Sequence, residues 1–150
     1  MRKRIWIPIL LAALLASSAP VYAGPALTFT IAVPEGWRKI DTDEPMLFIT
    51  RDGGYKQFAV AQQRALDKPF QFTQKVLTKG MAPKEAAEIV VNEIMADQNI
   101  RDFSLIENVP AQVGDNPAFR LVFVYTDADG FVFKTIYYGF FKGDLFYNIR

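Results

Sequence analysis

The stretch that decides the fold is AFRLVFVYTDADGFVFKTIYYGFFKGDLFYNI, residues 118–149. It holds three apolar and aromatic runs separated by two turns. Asp127-Ala128-Asp129-Gly130 and Lys142-Gly143-Asp144 carry the turn chemistry, since Gly reaches backbone conformations closed to other residues and Asp bonds nearby backbone N–H groups. Ala118 to Thr126, Phe131 to Phe141 and Leu145 to Arg150 therefore read as antiparallel strands of a meander. Phe119, Leu121, Phe123 and Tyr125 share one face, with Val122 and Val124 on the other. Phe131, Phe133 and Tyr137 alternate with Val132, Ile136, Tyr138 and Phe140. Both faces are apolar, so the sheet needs cover on both sides.

Upstream, Phe103 to Glu107 reads as a strand that continues or bulges from Val109 to Val113, and Gly114 to Pro117 turns the chain. Two helices are expected before it. Asp67-Lys68-Pro69 suits a helix start, Phe72, Val76 and Leu77 recur at helical spacing, and Gly80 suits its end. Pro83 opens the second, with Glu85 and Glu88 near its positive end and no Gly or Pro up to Asn99. Its apolar stripe is Ala87, Val90, Val91, Ile94 and Met95. Further back, Leu27 to Val33 alternates as a strand and stops at Pro34-Glu35-Gly36-Trp37. Met46 to Arg51 and Tyr55 to Arg64 form a hairpin across Asp52-Gly53-Gly54. The expected class is α+β, an antiparallel sheet covered by helices.

The first 23 residues read as an address rather than as structure. Arg2, Lys3 and Arg4 precede an apolar stretch from Ile5 to Ala16, and Val21-Tyr22-Ala23 offers small residues where a signal peptidase reads. The stretch is shorter than the roughly 20 residues that span a bilayer. We expect a secretory signal over residues 1–23, cleaved after Ala23, and a single domain over residues 24–150 in the periplasm or outside the cell. Loss of the three basic residues takes Lys+Arg from 17 to 14 against 16 Asp+Glu, so the +1 of the whole chain becomes −2. That balance gives no basic face for nucleic acid and no attraction to an anionic membrane. The last strand is still running at Arg150, and we expect a closing helix beyond it.

The chain of 150 residues has no His and no Cys. Their absence removes Ser-His-Asp and Cys nucleophile chemistry, thiolate or imidazole metal sites and any disulfide within the chain. Asp127-x-Asp129-Gly130 resembles half of a calcium loop, but the twelfth position is Tyr138, with no carboxylate, so a hairpin turn is the better reading. Asp41, Asp43 and Glu44 read as a solvated loop. Ser104, the one Ser after the signal, has no nucleophile-elbow context. No catalytic residue, metal site or cofactor is assigned. Eleven aromatics lie between Phe119 and Tyr147. They fill a core or line a cleft, and Arg64 and Arg120 are candidates for the mouth of such a cleft, where they would hold a carboxylate.

Phe29 to Trp37, a strand ending in Pro-x-Gly-Trp, resembles the opening of the PsbP-like family. Pro117-Ala118-Phe119-Arg120, Asp129-Gly130, Tyr137-Tyr138 and Gly143 to Ile149 are similar to its later motifs. The resemblance implies a sheet between helices in three layers (α/β/α), with a helix after the last strand. It implies a mostly non-enzymatic binding fold, seen in photosystem accessory proteins, a relative that binds a nuclear-transport GTPase, and exported bacterial proteins. Metal-linked roles in that family lean on His, so none is carried over. Trp37 is expected to pack under the sheet edge. The resulting expectation is an exported, non-catalytic accessory module that binds a protein partner. The alternative is a carrier of a small apolar or amphipathic ligand in an aromatic cleft. A carboxylate-based hydrolase is a remote alternative, because no spacing singles out a pair among the acids.

Overall fold

The computed structural model describes residues 21, 22, 27–51, 53 and 56–150. The expected signal lies outside them except for Val21–Tyr22 (β1), which pairs antiparallel with Ile31–Ala32 (β2). The remaining elements are Arg38–Ile40 (β3), Met46–Thr50 (β4), Phe58–Ala65 (β5), Pro83–Ala96 (α1), Arg101–Val113 (β6), Asn116–Thr126 (β7), Val132–Lys142 (β8) and Leu145–Ile149 (β9). β3 to β9 form one antiparallel sheet in the order β3-β4-β5-β9-β8-β7-β6. The meander β6-β7-β8-β9 is thus extended by pairing β9 with β5, in register Gln62↔Asn148 and Arg64↔Phe146.

The fold is mainly β, not the helix-covered α+β layering expected from sequence. The described residues contain one α-helix, α1, and it covers one face only. The expected helix from Asp67 to Gly80 is a structured loop. Pro69 offers no N–H, the Phe70 N–H instead donates to the Lys75 carbonyl at 2.8 Å, and Gln74 sits at φ 58°. Leu77 is fully buried beneath this loop while Phe72 stands 41% exposed, so the apolar spacing there comes from a loop dipping into the core.

On the helix face, Phe119, Leu121, Phe123, Tyr137 and Phe146 pack against Ala86, Ala87 and Val90 of α1 and against Leu66 and Leu77. The small alanines let the helix backbone approach the sheet closely. Gly139 lies under this layer: a Cβ there would overlap the rings of Phe119 and Phe146, which stack 6.1 Å apart. Helix α1 stops at Ala96, earlier than Asn99, because Asp97 turns to extended backbone. Of its expected stripe, Met95 points outward at 59% exposure.

Among the described residues no helix covers the opposite face. The segment Leu27 to Trp37 does so in part. Only Ile31–Ala32 is a strand, and it is not in the main sheet. Phe29, Ile31 and Val33 do share a side, as their alternation requires, and with Trp37 they pack on Leu47, Ile49 and Ala61. Thr28 ties this cover down by bonding the Gln63 Oε1 through its N–H (3.0 Å) and its hydroxyl (2.7 Å). Beyond the segment's reach, Val132 and Ile136 remain 69% and 47% exposed. The strand expected to continue or bulge through Pro110 is one continuous β6, which bulges between Leu105 and Glu107. Pro110 lies in an edge strand, the place in a sheet where Pro is tolerated.

Candidate functional site

A cleft of about 740 Å³ opens on the helix face, between the loop after β5 and the exposed ends of β7, β8 and β9. Alternation along β5 and β9 turns Gln62, Arg64, Phe146 and Asn148 toward it, and Tyr137 of β8 completes the floor. The apolar wall is Phe70, Val90, Ile94, Phe123 and Tyr125.

Arg64 is held rigidly. Its Nη2 donates to the carbonyls of Lys68 at 2.6 Å and Pro69 at 3.1 Å, and its guanidinium lies 3.7 Å from the centre of the Phe70 ring. Its Nε is buried without a hydrogen-bond partner. Desolvation lowers the pKa of Arg64 below its ordinary value, yet a guanidinium stays charged at any ordinary pH. Asn148, 8% exposed, has its Oδ1 buried without a partner. Burial raises the pKa of Tyr137 well above 10, against the pull of Arg150 and Arg64, so its phenol stays neutral. Unpaired buried polar atoms cost about 1–3 kcal/mol each, and these two sit in one cleft.

The cleft wall is pinned by Glu93 of α1. Its carboxylate accepts the N–H of Phe72 at 2.9 Å, and the N–H and hydroxyl of Thr73 at 2.8 Å each. Burial works against its charge, but these bonds outweigh it and hold the pKa below 4.5. Asp127 is spent in the same way. Its Oδ1 accepts the Phe131 N–H at 2.8 Å and closes the β7–β8 hairpin, with Gly130 at φ 90°.

The structure separates Arg64 from Arg120. Arg120 lies on the opposite face, ion-paired with Glu107. The Asp127–Gly130 run is a hairpin turn, and no group of three acidic side chains able to hold a metal occurs among the described residues. Asp41 pairs with Lys39 at 3.1 Å and is exposed. Ser104 is exposed on the edge strand β6. Trp37 packs on the opposite face, beneath β4 and β5. The aromatics divide between both expected roles. Phe119 stacks within the core at 5.9 Å from Tyr137, whereas Phe123 and Tyr125 also line the cleft. Sequence reasoning missed Asn148 and Glu93. The signal for Asn148 was a lone amide inside the apolar run Leu145–Ile149. No helix among the described residues is long and apolar enough to cross a membrane. Compared with protein-family models and with curated proteins, the chain finds no match.

Proposed function

We propose that the protein is a non-catalytic binding module whose cleft on the helix face takes a small amphipathic ligand. The observation that carries this reading is the pair of buried, unpartnered polar atoms, Arg64 Nε and Asn148 Oδ1, beside an aromatic wall in one cleft of about 740 Å³. A polar head would satisfy those atoms and an apolar body would cover Phe70, Phe123 and Tyr125. The lack of His and Cys, and the use of Glu93 and Asp127 as backbone caps, favour binding over chemistry. The basic start and apolar run of residues 1–16 support export before the module acts, and the Pro34-x-Gly36-Trp37 turn supports kinship with PsbP-like binding proteins. Native mass spectrometry of the protein from the cells that make it tests the reading. A small bound mass, released on denaturation and absent from Arg64→Ala, is expected. A bare chain mass in every preparation would overturn it.

A further inference from the structure

The head group that fits the cleft follows from which atoms lack partners and from the charges around them. Arg64 Nε is a donor on a cation, and Asn148 Oδ1 is a neutral acceptor. They stand at diagonal positions on adjacent strands, since Arg64 pairs with Phe146 and Gln62 with Asn148. Diagonal neighbours on one face lie roughly 7–8 Å apart at the backbone, and both residues line the same cleft. A lone carboxylate satisfies Arg64 but places an acceptor against the acceptor Oδ1. An alcohol or ammonium alone satisfies Asn148 but leaves the guanidinium without an anion.

The surroundings add a second constraint. Among the described residues of the lining, Arg64, Lys68 and Arg150 are the cations, but Glu44, Asp97 and Asp129 join Glu93 and Asp127 there, so the balance of these side chains is negative. A ligand with a net negative charge is penalised by that excess, while one whose carboxylate is balanced by a cationic amine is not. The phenol of Tyr137 adds no charge to this balance.

We infer that the cleft binds an α-amino carboxylate head, with the carboxylate accepting from Arg64 Nε and the neighbouring N–H donating to Asn148 Oδ1. This inference rests on the cleft reading above. An amino acid with an apolar side chain carries such a head, and so does the C-terminal residue of a short apolar peptide. The side chain lies on Phe70, Phe123 and Tyr125, and in a peptide the distant ammonium reaches the acidic residues Glu44 and Asp129.

Isothermal titration of the whole protein with L-phenylalanine, with Ala-Phe and with 3-phenylpropanoate tests the inference. The first two are expected to bind, Ala-Phe the tighter if the acids of the lining engage its ammonium. The third, which lacks the N–H, should bind roughly tenfold more weakly, as the loss of a hydrogen bond in a desolvated site dictates. Asn148→Asp gives a second readout. Its carboxylate would repel the carboxylate of the ligand, so binding of L-phenylalanine and Ala-Phe should be lost while the far-ultraviolet signal of the fold is kept. Equal binding of 3-phenylpropanoate and L-phenylalanine overturns the inference, as does unchanged binding by Asn148→Asp. A bound mass in native spectra with no binding of any probe overturns the head group and leaves the cleft reading standing.

Discussion

Gly139 sits where the two rings of Phe119 and Phe146 close over β8. Its backbone dihedral is ordinary, so the demand for Gly there is one of space. Gly139→Ala is expected to destabilise the protein by about 1–3 kcal/mol through forced displacement of the rings, measured as a lower denaturant midpoint with an unchanged slope. The sequence carries a trace of this, because a Gly inside a long apolar strand marks close approach of something else. Arg64 and Arg120 show the opposite limit. Both are cations on strands, and composition does not say which face each one takes. Strand register answers that, since Arg120 is opposite Tyr138 and pairs with Glu107 while Arg64 looks into the cleft. Arg120→Ala should therefore cost less than about 1 kcal/mol, as a partly exposed ion pair does, and leave ligand binding unchanged.

Among the elements, the loop after β5 is the one whose character the residues concealed. Phe72, Val76 and Leu77 satisfy a helical period, but the decisive partner lies 20 residues away: Glu93 on α1 accepts the N–H of Thr73. No local pattern announces such a bond. Loss of it in Glu93→Gln is expected to cost about 1 kcal/mol, after allowance for solvent screening. The effect depends on pH with a defined sign. The native carboxyl titrates below its ordinary value of 4.5, so its contribution is complete above that value and fades as pH falls through the lower native one. Melting curves of the two proteins should differ at neutral pH and converge in acid. Strands β7, β8 and β9 were far more legible, because each alternates over its whole length and ends at a turn with Gly in it. The edge position of β6 was not, since whether a strand lies at an edge is a property of the assembled sheet.

Across the whole molecule, two clusters of buried apolar residues lie on the two faces of the seven-stranded sheet. Helix α1 and the loop after β5 cover the larger group. Among the described residues the smaller one is covered by the segment Leu27 to Trp37, which rests on Thr28 and a few side chains. The expectation of helices on both faces rested on the apolar character of both; a short extended segment meets part of that demand and leaves Val132 and Ile136 in solvent.

That unequal cover has a consequence for how the protein comes apart. The segment from Leu27 to Trp37 can lift away without disturbing the ladder between β5 and β9, so opening there is a local event with its own, smaller free energy. Trp37 moves with the segment and reports on it. In a Trp6→Phe background, its fluorescence should shift to the red at denaturant concentrations where the far-ultraviolet signal of the sheet is still intact. A protease added at those concentrations should cut first between residues 27 and 37. A single coincident transition by both probes would mean that the two sides of the sheet melt as one unit.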